Sequence, residues 1–218
     1  MAEVPAAARG ARQATQAAGA RLSSRSVGRI KALLFVLALA PLARLVAGVL
    51  MRSLGTNPTE FVLRTLGDWT LIFLCITLAV TPLRKLTGWN WLLRLRRMFG
   101  LYAFFYVVMH FTTYVVLDRG LDVVAIPRDI LKRPFITVGF TCFVLMIPLA
   151  ATSTNAMVRR LGAERWQALH RFVYFIAIGG VVHFWWLVKR DITQPAIYAL
   201  VLAALLGYRL LAAARARS

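Results

Sequence analysis

The three histidines of this chain are the residues best suited to chemistry. Two of them, His170 and His183, lie in one long apolar run, RWQALHRFVYFIAIGGVVHFWWLVK, and His110 lies in a second, MFGLYAFFYVVMHFTTYVV. An ionisable side chain inside a membrane span is costly and usually marks a functional site. Because imidazole is a common axial ligand of haem iron, these runs favour a small membrane haem protein that passes electrons and makes no bonds itself.

The composition predicts an integral membrane protein built as one bundle. Of the 218 residues 60% are hydrophobic, and the mean hydropathy is +0.68. The apolar residues are concentrated in runs close to the roughly 20 residues that a transmembrane helix needs. A soluble globular domain is closer to half apolar, so the composition excludes that class.

The strong positive charge is explained by membrane topology, and we expect no nucleic-acid partner. The formal net charge is +19, from 27 basic and 8 acidic residues. A similar balance occurs in nucleic-acid-binding proteins. Here, however, the basic residues lie mainly at the chain ends and in short segments between apolar runs, where such residues set the orientation of spans in membrane lipids.

The hydropathy pattern predicts an all-α fold, a polytopic membrane bundle of six transmembrane helices. Residues 1–30 are interpreted as a basic, disordered tail, with an organellar transit peptide as the alternative; residues 31–212 form the membrane domain and residues 213–218 a C-terminal tail. Arg44 falls inside the first span, where we expect it to snorkel to the interface or to pair with another group. The predicted spans cover about residues 32–51, 69–83, 98–117, 135–151, 167–188 and 196–211.

The distribution of Lys and Arg predicts that both termini are cytoplasmic. The N-terminal tail and the loops after the second and fourth spans carry fourteen of these residues, against eight in the alternate loops. In membrane proteins the cytoplasmic segments carry the excess. The third and fifth spans then both run from the cytoplasmic face to the outer face.

Helix geometry places His110 and His183 at similar depths in the outer half of the membrane. At about 1.5 Å per residue, His110 lies about 18–20 Å into the third span and His183 about 24 Å into the fifth. A haem held between two helices needs one histidine from each, and a bis-histidine pair leaves no open iron position, which suits electron transfer. The alternative is that each histidine only forms a hydrogen bond between helices.

His170 lies a few ångströms into the fifth span, near the cytoplasmic face, and its role stays open. It could ligate a second haem, hold a flavin or a quinone, or cap the interface. It is about 20 Å along the axis from His183 and about 140° away around a straight helix, although Gly179 and Gly180 could permit a bend. No other histidine lies at that depth, so a second bis-histidine haem cannot form within one chain.

Five stretches carry a family resemblance, namely NPTEFVLRTLGDWTL, TPLRKLTGWNWLLRLRRMFGLYAFFYVVMH, LKRPFITVGF, TSTNAMVRRLG and RWQALHRFVYFIAIGGVVHFWW. The specific parts are the run RRMFGLYAF before His110 and the pattern W-x-x-L-H-R-x-x-Y before His183. Over about residues 54–190 the chain resembles the MsrQ (YedZ) family, the haem-binding membrane subunits of the bacterial periplasmic methionine sulfoxide reductase system. That family belongs to the ferric-reductase-like transmembrane domains.

The resemblance implies haem b bound through His110 and His183, with His170 also implicated in haem binding or electron transfer. It also implies an FMN, which we place on no particular residues. Electrons would come from the quinone pool or a cytoplasmic flavin reductase and pass to MsrP, a periplasmic molybdopterin enzyme that reduces methionine sulfoxide in oxidised envelope proteins. The chain would be a non-catalytic subunit in the bacterial inner membrane, with residues 31–212 as its ferric-reductase-like, haem-binding domain.

The sequence also departs from the wider ferric-reductase group. It has three ligand-type histidines where a two-haem member has four, and only residues 212–218 follow the last predicted span. Direct oxidation of NAD(P)H by this chain alone is therefore not expected.

Two other functions stay open. One is a quinol-linked transmembrane metal reductase without a dedicated protein partner, and the other is a haem-free scaffold or transporter. A neighbouring gene for a secreted molybdopterin oxidoreductase would favour the methionine sulfoxide system over the metal reductase. A colourless, metal-free preparation would favour the scaffold or transporter.

Overall fold

The computed structural model describes residues 22–188 and 190–215, and this part of the chain is helical, with no β-strand. The prediction of an all-α fold is confirmed. In chain order the helices are α1 (Ser24–Leu37), α2 (Ala40–Leu50), α3 (Pro58–Thr87), α4 (Leu93–Thr113, flanked by a 3₁₀ turn at Asn90–Leu92 and a π-helical turn at Tyr114–Asp118), α5 (Ala125–Lys132), α6 (Pro134–Ala151), α7 (Asn155–Leu161), α8 (Ala163–His170), α9 (Phe172–Leu187) and α10 (Thr193–Ala214).

Six stretches of helix are long and apolar enough to cross a membrane, as the hydropathy pattern predicts. Most of the predicted tail, residues 1–21, lies outside the described residues, and the first helix begins at Ser24. The candidate spans are span 1 (α1 with α2, Ser24–Leu50), span 2 (α3, Pro58–Thr87), span 3 (α4 with its flanking turns, Asn90–Asp118), span 4 (α6, Pro134–Ala151), span 5 (α8 with α9, Ala163–Leu187) and span 6 (α10, Thr193–Ala214).

Span 2 begins well before the predicted residue 69 because its first turn is strongly capped. The Asn57 side chain accepts the backbone N–H of Glu60 at 3.2 Å, and its amide donates to the Glu60 carboxylate at 2.9 Å. Pro58 occupies the first helical position, where a missing N–H costs nothing. The Asn57-Pro58 pair therefore starts a helix of 30 residues.

Span 1 is broken between α1 and α2 and is tied to span 3 at the break. Pro41 opens α2, and the backbone N–H of Leu39 bonds to Val36 instead of Phe35. The hydroxyl of Tyr102 donates to the carbonyl of Phe35 at 2.7 Å. The hydroxyl of Tyr106 donates to that of Ala38, also at 2.7 Å. Two tyrosines of α4 thus satisfy backbone acceptors that lie at the kink.

The centre of the bundle is the contact between spans 2 and 3. The ring of Phe73 stacks at 5.4 Å on both Tyr102 and Tyr106, and Trp69 lies 5.8 Å from Phe73. Tyr106 is completely buried. Large apolar side chains such as Leu200 and Phe175 are instead exposed on the outside of the bundle, where a membrane would cover them with lipid tails.

The two glycines of α9, which from the sequence could permit a bend, lie at close contacts between helices. Helix α9 runs unbroken from Phe172 to Leu187, and span 5 is interrupted at Arg171. A Cβ atom on Gly179 would lie 2.5 Å from the sulfur of Cys142, and one on Gly180 would lie 2.9 Å from a methyl group of Leu71. Both positions therefore let α9 approach its neighbours, α6 and α3.

A proline inside span 2 leaves a backbone carbonyl free, and an arginine from span 6 binds it. Pro82 has no N–H to donate to the carbonyl of Leu78, four residues earlier. The guanidinium of Arg209 donates to that carbonyl at 2.6 Å and to the hydroxyl of Tyr174 at 3.3 Å. This explains why a cationic side chain lies inside span 6.

Replacing Arg209 with leucine should destabilise the purified protein by about 1–3 kcal/mol, since the Leu78 carbonyl loses its donor within the bundle. In a Pro82→Ala background the restored N–H can bond to Leu78, so the same replacement should cost less there. Denaturant titration of the four proteins of this double-mutant cycle in micelles measures the coupling. An equal cost in both backgrounds would show that Arg209 stabilises the fold by other contacts.

Candidate functional site

The structure brings His110 of span 3 and His183 of span 5 together. Their ring centroids are 6.3 Å apart and the ring planes are nearly perpendicular, at 87°. Half of that separation, about 3.2 Å, is roughly one metal–nitrogen bond of about 2 Å plus the radius of an imidazole ring. Two histidines from different spans thus face each other at a distance that suits one metal ion between them.

Each of these two rings is held by a backbone carbonyl of a neighbouring helix. Nδ1 of His110 donates to the carbonyl of Leu63 at 2.9 Å, and Nδ1 of His183 donates to that of Phe135 at 2.6 Å. Because a carbonyl only accepts, Nδ1 must carry the proton in both rings. Nε2 is then unprotonated and has a lone pair for a metal, and the hydrogen bond fixes the ring orientation.

A glycine lies beside each ring, one helical turn after the carbonyl that holds it. Gly67 follows Leu63 by four residues, and a Cβ atom there would lie 3.4 Å from the His110 ring. Gly139 follows Phe135 by four residues, and a Cβ atom there would lie 2.7 Å from Nδ1 of His183. The two histidines are therefore docked by the same local arrangement on spans 2 and 4.

The two histidines line a cavity of about 400 Å³ between spans 2, 3, 4 and 5. One end of the cavity would face the cytoplasm in the predicted membrane orientation. Spans 2, 4 and 5 line that end with apolar side chains such as Leu74, Met146 and Ile176. Aromatic rings line its wall; Phe111 stacks on Phe143 at 4.8 Å. The wall suits a large planar apolar group.

The other end of the cavity carries charged side chains. Arg64 pairs with Glu60 at 2.7 Å, and both are half-exposed. Asp129 pairs with Arg119 at 3.1 Å and with Arg133 at 2.9 Å. The cavity lining includes these three arginines and an equal number of carboxylates, Glu60, Asp68 and Asp118.

These observations fit a haem. Two unprotonated imidazole nitrogens would supply the axial ligands, the apolar wall would enclose the porphyrin, and the arginines at the mouth would accommodate its carboxylates. No group of three or more His, Cys, Asp or Glu side chains suited to a metal ion occurs in the described residues. A site with two histidine ligands is therefore the metal chemistry that this part of the chain offers.

His170 is not brought to this cavity. Its ring stacks on Trp166, with centroids 3.9 Å apart, and Nε2 lies 3.0 Å from the hydroxyl of Thr152. Thr152 donates its single proton to the carbonyl of Pro148 at 2.7 Å, so it accepts from Nε2–H of His170. The free lone pair of His170 is then on Nδ1, the opposite of the other two histidines. Arg96 and Arg97 lie close enough to interact with this ring electrostatically.

Sequence reasoning missed the residues that surround the two histidines in the cavity. Gly67, Gly139 and the arginines at the mouth were not identified as site residues. Two of these five, Gly67 and Arg64, lie in the stretch NPTEFVLRTLGDWTL, and Gly139 and Arg133 lie in LKRPFITVGF. Four of these residues could therefore have been suspected, because they lie in stretches that carry the family resemblance. A single sequence does not show which residue of such a stretch lies beside a histidine.

Comparison with known proteins gives consistent matches. Residues 66–181 match the family described as ferric reductase like transmembrane component, a range that contains His110 and His170 and ends two residues before His183. A protein from Herminiimonas arsenicoxydans is 56% identical over 191 residues, which are 87% of this chain and 88% of the relative. One from Azospira oryzae is 59% identical over 186 residues, 85% of this chain and 80% of the relative. Both are named protein-methionine-sulfoxide reductase heme-binding subunit MsrQ.

Proposed function

The chain belongs to the MsrQ family, within the ferric-reductase-like transmembrane proteins, and on that basis we propose that it is a haem b electron-transfer subunit of a methionine sulfoxide reductase system. The observation that carries the proposal is the pair of facing imidazole rings, His110 and His183, with both Nδ1 atoms engaged by carbonyls. The relatives' name, heme-binding subunit, supports the same cofactor.

The protein's part in this function is to bind and to orient. Haem supplies the one-electron redox chemistry when bound. His110 and His183 would both hold the haem iron, which would leave no position for oxygen or substrate. The carbonyls of Leu63 and Phe135 keep the two rings in the tautomer with a free Nε2 lone pair. The apolar wall would exclude water. Arg64, Arg119 and Arg133, each already paired with a carboxylate of the chain, would also donate to the carboxylates of the cofactor.

The direction of electron flow follows from the proposed orientation. With both termini in the cytoplasm, the cavity mouth faces the periplasm in the bacterial inner membrane, where the proposed acceptor, the molybdopterin enzyme MsrP, would collect electrons. The donor is the quinone pool or a cytoplasmic flavin reductase. The excess of Lys and Arg in the segments assigned to the cytoplasm supports this orientation. FMN is included on family resemblance alone, and flavin released by denaturation in a fixed ratio to the chain would support it.

The test of the proposal is the oxidised-minus-reduced absorption spectrum of the purified protein, with haem quantified per chain, followed by electron transfer to purified MsrP. We expect a low-spin b-type spectrum and reoxidation of the reduced protein by MsrP with its substrate, methionine sulfoxide. A haem-loaded protein that reduces ferric chelates but not MsrP would favour a metal reductase instead. A well-folded protein without haem would exclude an electron carrier.

We assign His170 to the donor side, as part of the site of an inner-half carrier (flavin, quinol or a second haem). It lies in span 5 at the opposite end from His183, beside Trp166 and near Arg96 and Arg97. With one haem in the outer half of the membrane, the remaining depth needs such a carrier.

Replacing His170 with alanine should therefore slow the reduction of the haem by quinol or reduced flavin, because the site of the inner carrier is altered. Reduction by dithionite, which does not depend on the physiological donor, should be unchanged and serves as the control. Stopped-flow absorbance at the haem band measures both rates. An unchanged quinol- or flavin-driven rate would show that the assignment of His170 is wrong.

A further inference from the structure

Arg44 is a cation inside span 1 that has no protein partner in the described part of the chain. It lies in α2, six residues before the helix ends at Leu50, which is about 9 Å of helical rise. Its side chain is exposed, and none of the ion pairs or hydrogen bonds formed within residues 22–188 and 190–215 involves it. A charge at this depth is costly unless its side chain reaches the membrane surface or an anionic group compensates it.

Arg44 lines a cavity of about 590 Å³ between span 1 and span 2. The cavity lies beyond the break of span 1, which the two tyrosines of α4 hold by hydrogen bonds. It extends along α2 from the break to Met51, roughly 15–20 Å at 1.5 Å per residue. This shape is a long slot parallel to the helices.

The slot opens to the outside of the bundle. Leu37, Met51 and Phe61 line it, and they are 54%, 76% and 43% exposed. In a membrane the surroundings of these side chains are acyl chains. Whatever occupies the slot therefore enters from the lipid, and most of its surface is apolar.

The polar groups of the slot can stabilise an acceptor and, above all, an anion. They are the guanidinium of Arg44, the indole N–H of Trp69 and the hydroxyls of Ser53 and Thr65. No Asp or Glu is among the lining residues. Glu60, the acidic residue of the first turn of α3, is already paired with Arg64 and does not line the slot.

We propose that this slot binds an anionic phospholipid, with the phosphate on Arg44 and an acyl chain along α2 and α3. Five guanidinium N–H groups match phosphate oxygens well. The position of Arg44, within reach of the membrane surface at the end of span 1, suits a headgroup at that surface. The bound lipid fills the space between span 1 and the haem-carrying bundle, so it stabilises the docking of α2.

The proposal is tested by measuring phospholipid that remains with the purified protein after extensive delipidation in detergent, by mass spectrometry and phosphorus assay. Wild type should retain a stoichiometric amount of anionic phospholipid, and Arg44→Gln should lose it. Arg44→Lys keeps the charge and should retain part of it. Adding phosphatidylglycerol, but not phosphatidylcholine, should raise the unfolding temperature of wild type and leave that of Arg44→Gln unchanged.

Two further variants separate the slot from charge in general. Arg52→Gln removes a cation from the adjacent loop that does not line the slot, so it should retain the lipid. Ala47→Phe fills the slot while keeping Arg44, so it should lose the lipid although the charge remains. Equal lipid retention by wild type and Arg44→Gln would overturn the proposal, as would recovery of a quinone in place of a phospholipid. Circular dichroism confirms that each variant is folded.

Discussion

Replacing His183 with alanine should remove the b-type haem signal from the purified protein while leaving its helical content unchanged. His183 is one of the two neighbouring imidazole rings proposed to hold the haem, and its removal leaves a single ring, that of His110, in the cavity. With one axial bond lost, haem is expected to dissociate during purification or to become high-spin. Absorption spectra and haem quantified per chain measure both effects, and circular dichroism measures the helical content.

The control for this prediction is His170→Ala, because His170 is also in span 5 but does not line the cavity. It should keep the low-spin spectrum of the haem that His110 and His183 hold. If the spectrum survives in His183→Ala and disappears in His170→Ala, the haem lies at the opposite end of span 5, next to Trp166 and Thr152. That result would contradict the site described here and move the ligand role to His170.

The pairing of His110 with His183 could be predicted from sequence because it depends only on depth along the helix axes. The rise per residue of a helix converts position within a span into depth in the membrane. Spans 3 and 5 are predicted to start at the same face, so the two histidines are expected at similar depth. The structure agrees, with the rings 6.3 Å apart. The family could be predicted as well, since several specific stretches match, and relatives above 50% identity confirm it.

Rotation about the helix axis could not be predicted in the same way. Which face of span 2 or span 4 meets a histidine depends on how whole helices pack, and a single sequence contains no direct signal for it. Gly67 and Gly139 are ordinary small residues of apolar spans until the structure shows the rings beside them. The same limit applies to Gly179 and Gly180, which from the sequence could permit a bend and which the structure shows to be contact points between helices.

Polar residues inside spans were difficult to interpret for a related reason. Arg209 falls near the end of the sixth predicted span, and the free carbonyl of Leu78 that it binds depends on Pro82 in another span. That a proline leaves the carbonyl four residues earlier without its N–H donor can be predicted from the sequence of one helix. Which distant side chain compensates for the missing N–H is a property of the folded bundle.

Replacing Gly139 with alanine should weaken haem binding strongly without altering either histidine. The new methyl carbon would lie 2.7 Å from Nδ1 and 2.9 Å from Cε1 of His183, closer than a Cβ atom can approach a ring. The ring must then move away, and its bond to the carbonyl of Phe135 is lost. Loss of the partner that orients a metal-bound histidine typically lowers metal affinity roughly 10–100-fold, and we expect a decrease in haem affinity of that size.

Two matched glycine variants make this prediction specific. At Gly67 the added carbon would lie 3.4 Å from the His110 ring, an ordinary van der Waals contact, so Gly67→Ala should bind haem almost as tightly as wild type. At Gly207, in span 6, nothing lies within 4 Å of the added carbon, so Gly207→Ala should show no effect. Titration of haem into the apoprotein in detergent measures the three affinities. All three changes raise helix propensity equally, so this effect cancels in the comparison. If the three variants bound haem with similar affinity, the position of the His183 ring set by its bond to Phe135 would not be the one that holds the haem.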